Sequence, residues 1–294
     1  MGTKEGRIIK LLGGFYYVDT RDGVVECRAR GVFRNEKISP CVGDWAVLEM
    51  TDGGKGYILS LGPRRNHLLR PPLANLDQLV LVSSCAQPAP NLAVLDRMIA
   101  ICEKKEIAPI LVFTKGDLGD TAALASIYQD AGIQTVQVCS LTGEGVKEVK
   151  TLLKGKVSAF TGNSGVGKST LLNAIDPRLG LQTADISLKL GRGRHTTRHV
   201  ELYLLPEGGW VADTPGFSAM DYQRFEVIRK GELEDCFREF APYLGRCQFT
   251  GCSHTAEKGC AVREAVAEGK IHQSRYDNYC AMYQEAKNLK EWEL

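Results

Sequence analysis

The segment Gly162-Asn163-Ser164-Gly165-Val166-Gly167-Lys168-Ser169 constrains this chain more than any other stretch of it. It has the spacing GxxxxGK[ST], follows the apolar run VSAF and opens the helical run TLLNAI. Strand, glycine loop and helix in that order make a phosphate cradle. The glycines let backbone N–H groups converge, and the helix N-terminus adds a favourable dipole. In such a loop the Lys168 ammonium reaches the β and γ phosphates, and the Ser169 hydroxyl, with Thr170 beside it, faces the accompanying Mg²⁺.

The surrounding sequence supplies the sheet that this loop needs. From about residue 76 to 221, apolar runs (QLVLVSS, APILVFT, TVQVCS, KVSAFTG) alternate with helical stretches. Strands this apolar are buried on both faces, which implies a parallel sheet covered by helices. The run WVADTPG ends a further strand. Its Asp213 is placed to hold Mg²⁺ through water, and the Gly216 N–H to sense a γ phosphate.

Two other strands run into Thr114-Lys115-Gly116-Asp117 and into Ser140-Leu141-Thr142. An Asp carboxylate in the first position accepts both guanine N1–H and the 2-amino group, a match adenine cannot offer, and losing a buried match of this kind costs several powers of ten. The Lys115 stem can cover the base face, and a backbone N–H between Ser140 and Thr142 can donate to O6. Ordinary GTPases place the phosphate loop first and these base-reading segments last. Here the base-reading segments come first, so the domain reads as circularly permuted, with KEVKTLLKGKVS joining the original ends.

Outside this domain the composition changes. Residues 1 to about 66 hold short β-rich runs separated by glycines, which predict a small antiparallel barrel. Through Arg70 there are 12 basic and 8 acidic residues, and Phe15, Tyr16, Tyr17 and Phe33 lie among them. That combination suits single-stranded nucleic acid, while alternating aromatics in a strand equally suit a barrel core. The whole chain carries only +2, so any nucleic-acid contact must be local. No window approaches a membrane span, and the start MGTKEGRIIKLLGG lacks a signal peptide's apolar stretch, so a cytoplasmic monomer without membrane contact is expected. After Asp221 the sequence becomes helical and charged. Cys247, Cys252, His254 and Cys260 fall within fourteen residues, a set suited to tetrahedral Zn²⁺ with no open position. Cys236 and Cys280 lie outside that spacing and are expected to pack in helices.

TKGD, SLTGEG, GNSGVGKST, GRGRHTTR and DTPGF, in that order, resemble the RsgA family (also called YjeQ or YloQ), circularly permuted GTPases of small-ribosomal-subunit biogenesis. The resemblance covers nearly the full length. It implies an α/β P-loop GTPase domain with a mainly parallel sheet (residues 69–221), an N-terminal β-barrel OB-fold that binds RNA (1–68) and a C-terminal helical zinc-binding domain (222–294). It also implies GTP hydrolysis stimulated by the small subunit, and a role late in that subunit's maturation. The usual base-reading tetrapeptide is NKxD. Thr114 replaces its Asn, and the shorter hydroxyl is expected to brace the loop less well.

Hydrolysis needs an oriented water. Phe217 occupies the position where Ras-type enzymes carry Gln, so another group must serve. The segment GRGRHTTR is the natural switch: His195 would orient or polarise the water and Thr196 or Thr197 complete the Mg²⁺ shell. Lys168 would neutralise charge on the transferred group. Arg192, Arg194 and Arg198 could meet rRNA phosphates, as could Arg246, Lys258, Arg263 and Lys270 around the cysteine cluster. The competing readings are an RNA-binding module whose nucleotide pocket only gates affinity and a P-loop kinase or ATPase. Turnover with and without subunits, and competition between ATP and GTP, separate them.

Overall fold

A computed structural model of the chain describes residues 2–31, 33, 38–181, 200–214 and 226–289. Five strands, β1 (Thr3–Leu12), β2 (Phe15–Thr20), β3 (Gly23–Ala29), β4 (Trp45–Met50) and β5 (Gly56–Leu61), close into a barrel in the order β1-β2-β3-β5-β4. Alternating side chains fill it, among them Ile8, Val18, Cys27, Leu48 and Ile58. The barrel is not wholly antiparallel as the sequence suggested, because β3 and β5 run parallel. Five strands cannot alternate direction around a closed ring, so one pair must align.

The barrel aromatics divide between core and surface. Phe33 is buried in the barrel core, and Phe15 lies under Arg28 and Lys55, 4.7 and 5.9 Å from its ring centroid. The large exposed aromatics of the barrel are instead Trp45 and Tyr57.

A hairpin of β6 (His67–Leu69) and β7 (Pro72–Ala74) leads into the central sheet. That sheet comprises β8 (Gln78–Ser84), β9 (Ala108–Thr114), β10 (Gln134–Gln137), β11 (Val157–Thr161), β12 (Leu202–Leu204) and β13 (Trp210–Asp213), ordered β10-β9-β8-β11-β13-β12. All neighbours are parallel except β12 and β13. Every residue of β8 is buried. Its Leu79 and Leu81 face one apolar cluster and its Val80 and Val82 another, which is why the run is continuously hydrophobic.

Helices α1 (Leu92–Lys104) and α2 (Ala122–Asp130) contribute to the first cluster, α3 (Val146–Leu153) and α4 (Lys168–Ile175) to the second. Phe160 near the C-terminal end of β11 is fully buried, and truncating such a ring to alanine costs about 3–5 kcal/mol.

The C-terminal region packs on the face bearing α1. It consists of two 3₁₀ turns, Glu234–Cys236 and Arg238–Phe240, then α5 (Ala261–Ala267) and α6 (Gln273–Asn288). Cys236 is buried in the first turn, and Cys280 lies on α6. The contact centres on Arg275, which is 1% exposed. It donates to Asp96 Oδ1 and Glu239 Oε1, both at 2.8 Å, and its guanidinium lies 4.6 Å from the Phe237 ring centroid. Buried guanidinium and carboxylates compensate one another, so removing one partner costs more than the pair contributes net. Among the described residues no helix is long and apolar enough to cross a membrane.

Candidate active site and metal centre

Because β8, β9, β10, β11 and β13 are parallel, the loops at their C-terminal ends emerge along one edge of the sheet, the usual ligand side of an open α/β fold. The phosphate loop follows β11. At Gly162 any Cβ would stand 2.4 Å from the Val82 carbonyl oxygen, so only glycine lets the loop leave between the strands. Gly167, at φ 95°, turns the chain into α4 through the left-handed region, which strongly favours glycine. Asn163, Ser164 and Gly165 are exposed on the loop, while Val166 is buried beneath it. Ser169 and Thr170 occupy the first turn of α4. A cleft between α1 and the loop is lined by Pro88, Val94, Met98, Gly162 and Val166, among others.

Lys168 and Asp213 meet directly. The register pairs Phe160 of β11 with Asp213 of β13, which sets the carboxylate beside the loop, and the ammonium forms an ion pair with Asp213 Oδ1. The same ammonium donates to the Thr214 carbonyl oxygen at 2.9 Å. Thr214 is fixed in turn, its hydroxyl donating to Phe160 O at 2.6 Å.

Of the two segments expected to read the base, the one ending β9 reaches this loop directly. Thr114 ends β9, is 2% exposed, and its hydroxyl reaches both the Val166 carbonyl of the phosphate loop and that of Ser83. The bracing that its short side chain was expected to weaken is therefore present. One hydroxyl proton serves two acceptors, where an Asn amide would bring two donors. Lys115, at φ 60°, donates to the Gln87 carbonyl. Asp117 is exposed and within 3.4 Å of the Cys139 thiol.

Ser140, Leu141 and Thr142 form a turn closed by Cys139 N donating to Glu144 O at 3.1 Å and Gly143 N donating to Cys139 O at 2.9 Å. Leu141 is exposed, and the buried Ser140 hydroxyl has no partner among the described residues. Gly216, Phe217, Arg192, Arg194, His195, Thr196, Thr197 and Arg198 lie outside the described residues.

The second centre is built from side chains. The ligand atoms of Cys247, Cys252, His254 and Cys260 all lie within 4.8 Å of one another. Cys247 Sγ is 3.5 Å from His254 Nδ1 and 3.9 Å from Cys260 Sγ, and His254 Nδ1 is 3.4 Å from Cys260 Sγ. A tetrahedron with metal–sulfur bonds of about 2.3 Å and metal–nitrogen bonds of about 2.0 Å has edges of about 3.5–3.8 Å, so the site fits a metal ion.

His254 turns its other nitrogen, Nε2, to Glu234 Oε2 at 2.9 Å, the outer carboxylate that commonly fixes a ligating imidazole. Burial, with the Cys260 and Cys247 thiols nearby, pushes the Cys252 thiol up to about 12. A cation at the centre would reverse that by favouring thiolates. Tyr276 and Tyr279 of α6 hold the ligand loop by donating to His254 O and Ser253 O, each at 2.9 Å. Glu257 accepts from Ser253 N at 2.8 Å and from Thr255 N at 3.2 Å.

Glu234, twenty residues before His254, carried no sequence signal, and neither did the Gln87 carbonyl or Cys139. Of the basic residues around the cluster, Arg246, Lys258, Arg263 and Lys270 are exposed. Lys270 pairs with Glu268, and Arg263 donates to Glu257 O.

Comparisons with known proteins agree with this architecture. Residues 61–223 match the RsgA GTPase family, and residues 5–58 match the RsgA N-terminal domain. The chain is 48% identical over 292 residues to a protein of Geobacillus kaustophilus named small ribosomal subunit biogenesis GTPase RsgA, covering 97% of this chain and 98% of that one. It is 45% identical over 286 residues to a protein of the same name from Caldanaerobacter subterraneus, covering 96% of each.

Among solved structures, YjeQ from Thermotoga maritima superposes with a TM-score of 0.82 at 33% identity, covering 98% of this chain and 100% of that one. YloQ, described as a circularly permuted GTPase, gives 0.81 at 38%, covering 98% and 96%. With the glycine loop after β11 and the permuted strand order in place, the chain belongs to the RsgA family of circularly permuted, GTP-hydrolysing enzymes.

Proposed function

We propose that this GTPase acts in late maturation of the small ribosomal subunit and that docking on the subunit accelerates its GTP hydrolysis. The observation that carries the site assignment is the Thr114 hydroxyl, which ties the base-reading loop to the phosphate loop through Val166. One nucleotide can then span both. Asp117 reads the guanine edge, Lys115 covers the ring, and the turn at Ser140, Leu141 and Thr142 donates to O6. The backbone from Gly162 to Gly167 cradles the phosphates, with Lys168, Ser169 and Thr170 following, and Gly216 meets the γ phosphate.

Lys168 exchanges its Asp213 partner for phosphate oxygens as the nucleotide enters, which frees the carboxylate. Ser169, Thr197 and Asp213 would hold Mg²⁺, which when bound would supply charge neutralisation at the phosphates. Attack by water is in line, with His195 orienting it and Lys168 offsetting charge on the leaving oxygen.

The units at 1–68, 69–221 and 222–294 divide the work between RNA contact, hydrolysis and a structural metal. The three-sulfur, one-nitrogen donor set favours Zn²⁺ held by Cys247, Cys252, His254 and Cys260. Arg192, Arg194 and Arg198 meet rRNA phosphates on docking and so order the switch. The names of the relatives support a role in small-subunit biogenesis; a cytoplasmic site of action and a monomeric enzyme complete the proposal.

GTP turnover measured across a titration of purified small subunits tests the proposal. Turnover rising with subunit concentration, together with tighter subunit binding with a GTP analogue than with GDP, is the expected result. Flat turnover refutes the coupling.

A further inference from the structure

We propose that Lys10 of the barrel is a positioning residue, holding Glu201 and with it the β12–β13 pair that carries Asp213, so that docking of the barrel on RNA reaches the hydrolytic site through this contact. The inference rests on the subunit-accelerated hydrolysis proposed above. Residues 3–7 of β1 pair with β4. Ile8 N then donates to Asp44 O, and Ile8 O accepts from Gly43 N, both at 2.8 Å. On its other edge β1 shifts register against β2 between Ile8 and Lys10, an irregularity of the kind that re-aims a side chain. Past it, Lys10 meets the chain entering β12. Its backbone pairs antiparallel with Glu201, and its ammonium lies 2.8 Å from Glu201 Oε2.

Leu202 pairs with Ala212, so Glu201 and Asp213 are the next residues on the two strands. Glu201 Oε2 also accepts from the Tyr203 hydroxyl at 3.4 Å. Tyr203 packs on the apolar cluster that contains Val166 of the phosphate loop and Leu171 and Leu172 of α4. Burial, and then the Glu201 and Asp213 carboxylates, push the Tyr203 hydroxyl up, which keeps it a donor. Without Lys10, Glu201 would add an uncompensated negative charge near Asp213 as Lys168 turns to the phosphates. Lys10 offsets that charge and fixes the strand end. Because Lys10 belongs to the barrel, a shift of the barrel is transmitted to Asp213. The side chains of the pair are 31% and 26% exposed, so it contributes little to stability, and its effect is to be read in the coupling.

The test uses the purified full-length chain and purified small subunits. Lys10→Met and Glu201→Gln should each lower the ratio of subunit-stimulated to basal turnover about two- to fivefold, the range of a partly exposed ion pair. The double variant should lose no more than the larger single loss, because both changes remove one interaction. Lys10→Arg, which keeps the charge, should retain most of the ratio. Melting midpoints should stay within a few degrees of the parent chain.

An unchanged ratio in either single variant, fully additive losses, or a Lys10→Arg variant as deficient as Lys10→Met would each overturn the proposal. So would weaker subunit binding in Lys10→Met with normal coupling in Glu201→Gln, which would make Lys10 a direct RNA contact. Turnover of the parent chain that stays flat across the subunit titration would overturn the proposed function itself, and the Lys10 role with it.

Discussion

The phosphate loop and the cysteine–histidine centre are both compact loops beside a short helix, yet they are held in opposite ways. The first is built from backbone: its Asn163, Ser164 and Gly165 are exposed, and its fixed points are Thr114 and Asp213 at the ends of neighbouring strands and Thr214 just beyond. The second is built from side chains. Glu234, Glu257, Tyr276 and Tyr279 all hold the ligand loop, and Phe240 packs 4.7 Å from Tyr279 between ring centroids. A loop of donors tied at few points suits a ligand that comes and goes. A loop tied at every turn suits an ion that stays.

Removing the ion should separate the two centres most sharply. Structural zinc sites contribute on the order of 10 kcal/mol to folding, so Cys260→Ser should lose its metal and unfold the C-terminal region. Bound metal per chain, measured by mass spectrometry, should fall from one to none, and the melting midpoint should drop by at least about 10 °C. A metal-free variant that melts with the parent would erase the contrast. Lys168→Ala should behave the other way round. Loss of a charged contact to the developing phosphate charge typically costs about 10²–10³ in turnover, while a single ion pair at the loop leaves the melting midpoint within a few degrees.

That contrast bears on what the sequence made legible. The glycine spacing, the uniformly apolar strands and the clustered cysteines are local patterns imposed by one strand, one loop or one ligand shell, so they show in the order of residues. The parallel pairing of β3 with β5 depends on ring closure, and Phe33 packs into the barrel core from outside the strands. Asp96 and Arg275 are 179 residues apart, and Glu234 reaches His254 from a separate 3₁₀ turn. Such partners meet through tertiary packing, which leaves no periodicity to read. The switch residues His195 and Thr197 lie outside the described residues, and their roles rest on the sequence alone.

Between the two centres, Glu226 makes a connection of intermediate strength. Its carboxylate is 8% exposed as a residue, accepts from Leu69 N at 2.9 Å and pairs with Lys105 at 2.7 Å. It thereby ties the chain entering the C-terminal region to β6 and to the end of α1. Glu226→Gln keeps the shape but removes the charge, which should cost about 1–3 kcal/mol and lower the melting midpoint by a few degrees. Lys105→Met should cost a similar amount, and the double variant less than the sum, because both remove one interaction. Additive losses would show that Glu226 acts mainly through Leu69.

The smallest effect should come from Thr114, where the backbone-built site depends on one side-chain proton. Thr114→Ala leaves the buried Val166 and Ser83 carbonyls without that donor and should weaken GDP binding by roughly three- to tenfold, corresponding to about 1 kcal/mol for a neutral hydrogen bond. Thr114→Asn offers two donors to the same two carbonyls. It should bind GDP at least as tightly as the parent chain, provided the amide fits beside Gly167, where an added Cβ would already stand 3.4 Å from the Thr114 hydroxyl. Titration calorimetry with GDP distinguishes the cases. If the alanine variant binds as tightly as the parent chain, the phosphate loop holds its shape without a brace from β9, and its few ties are fewer still.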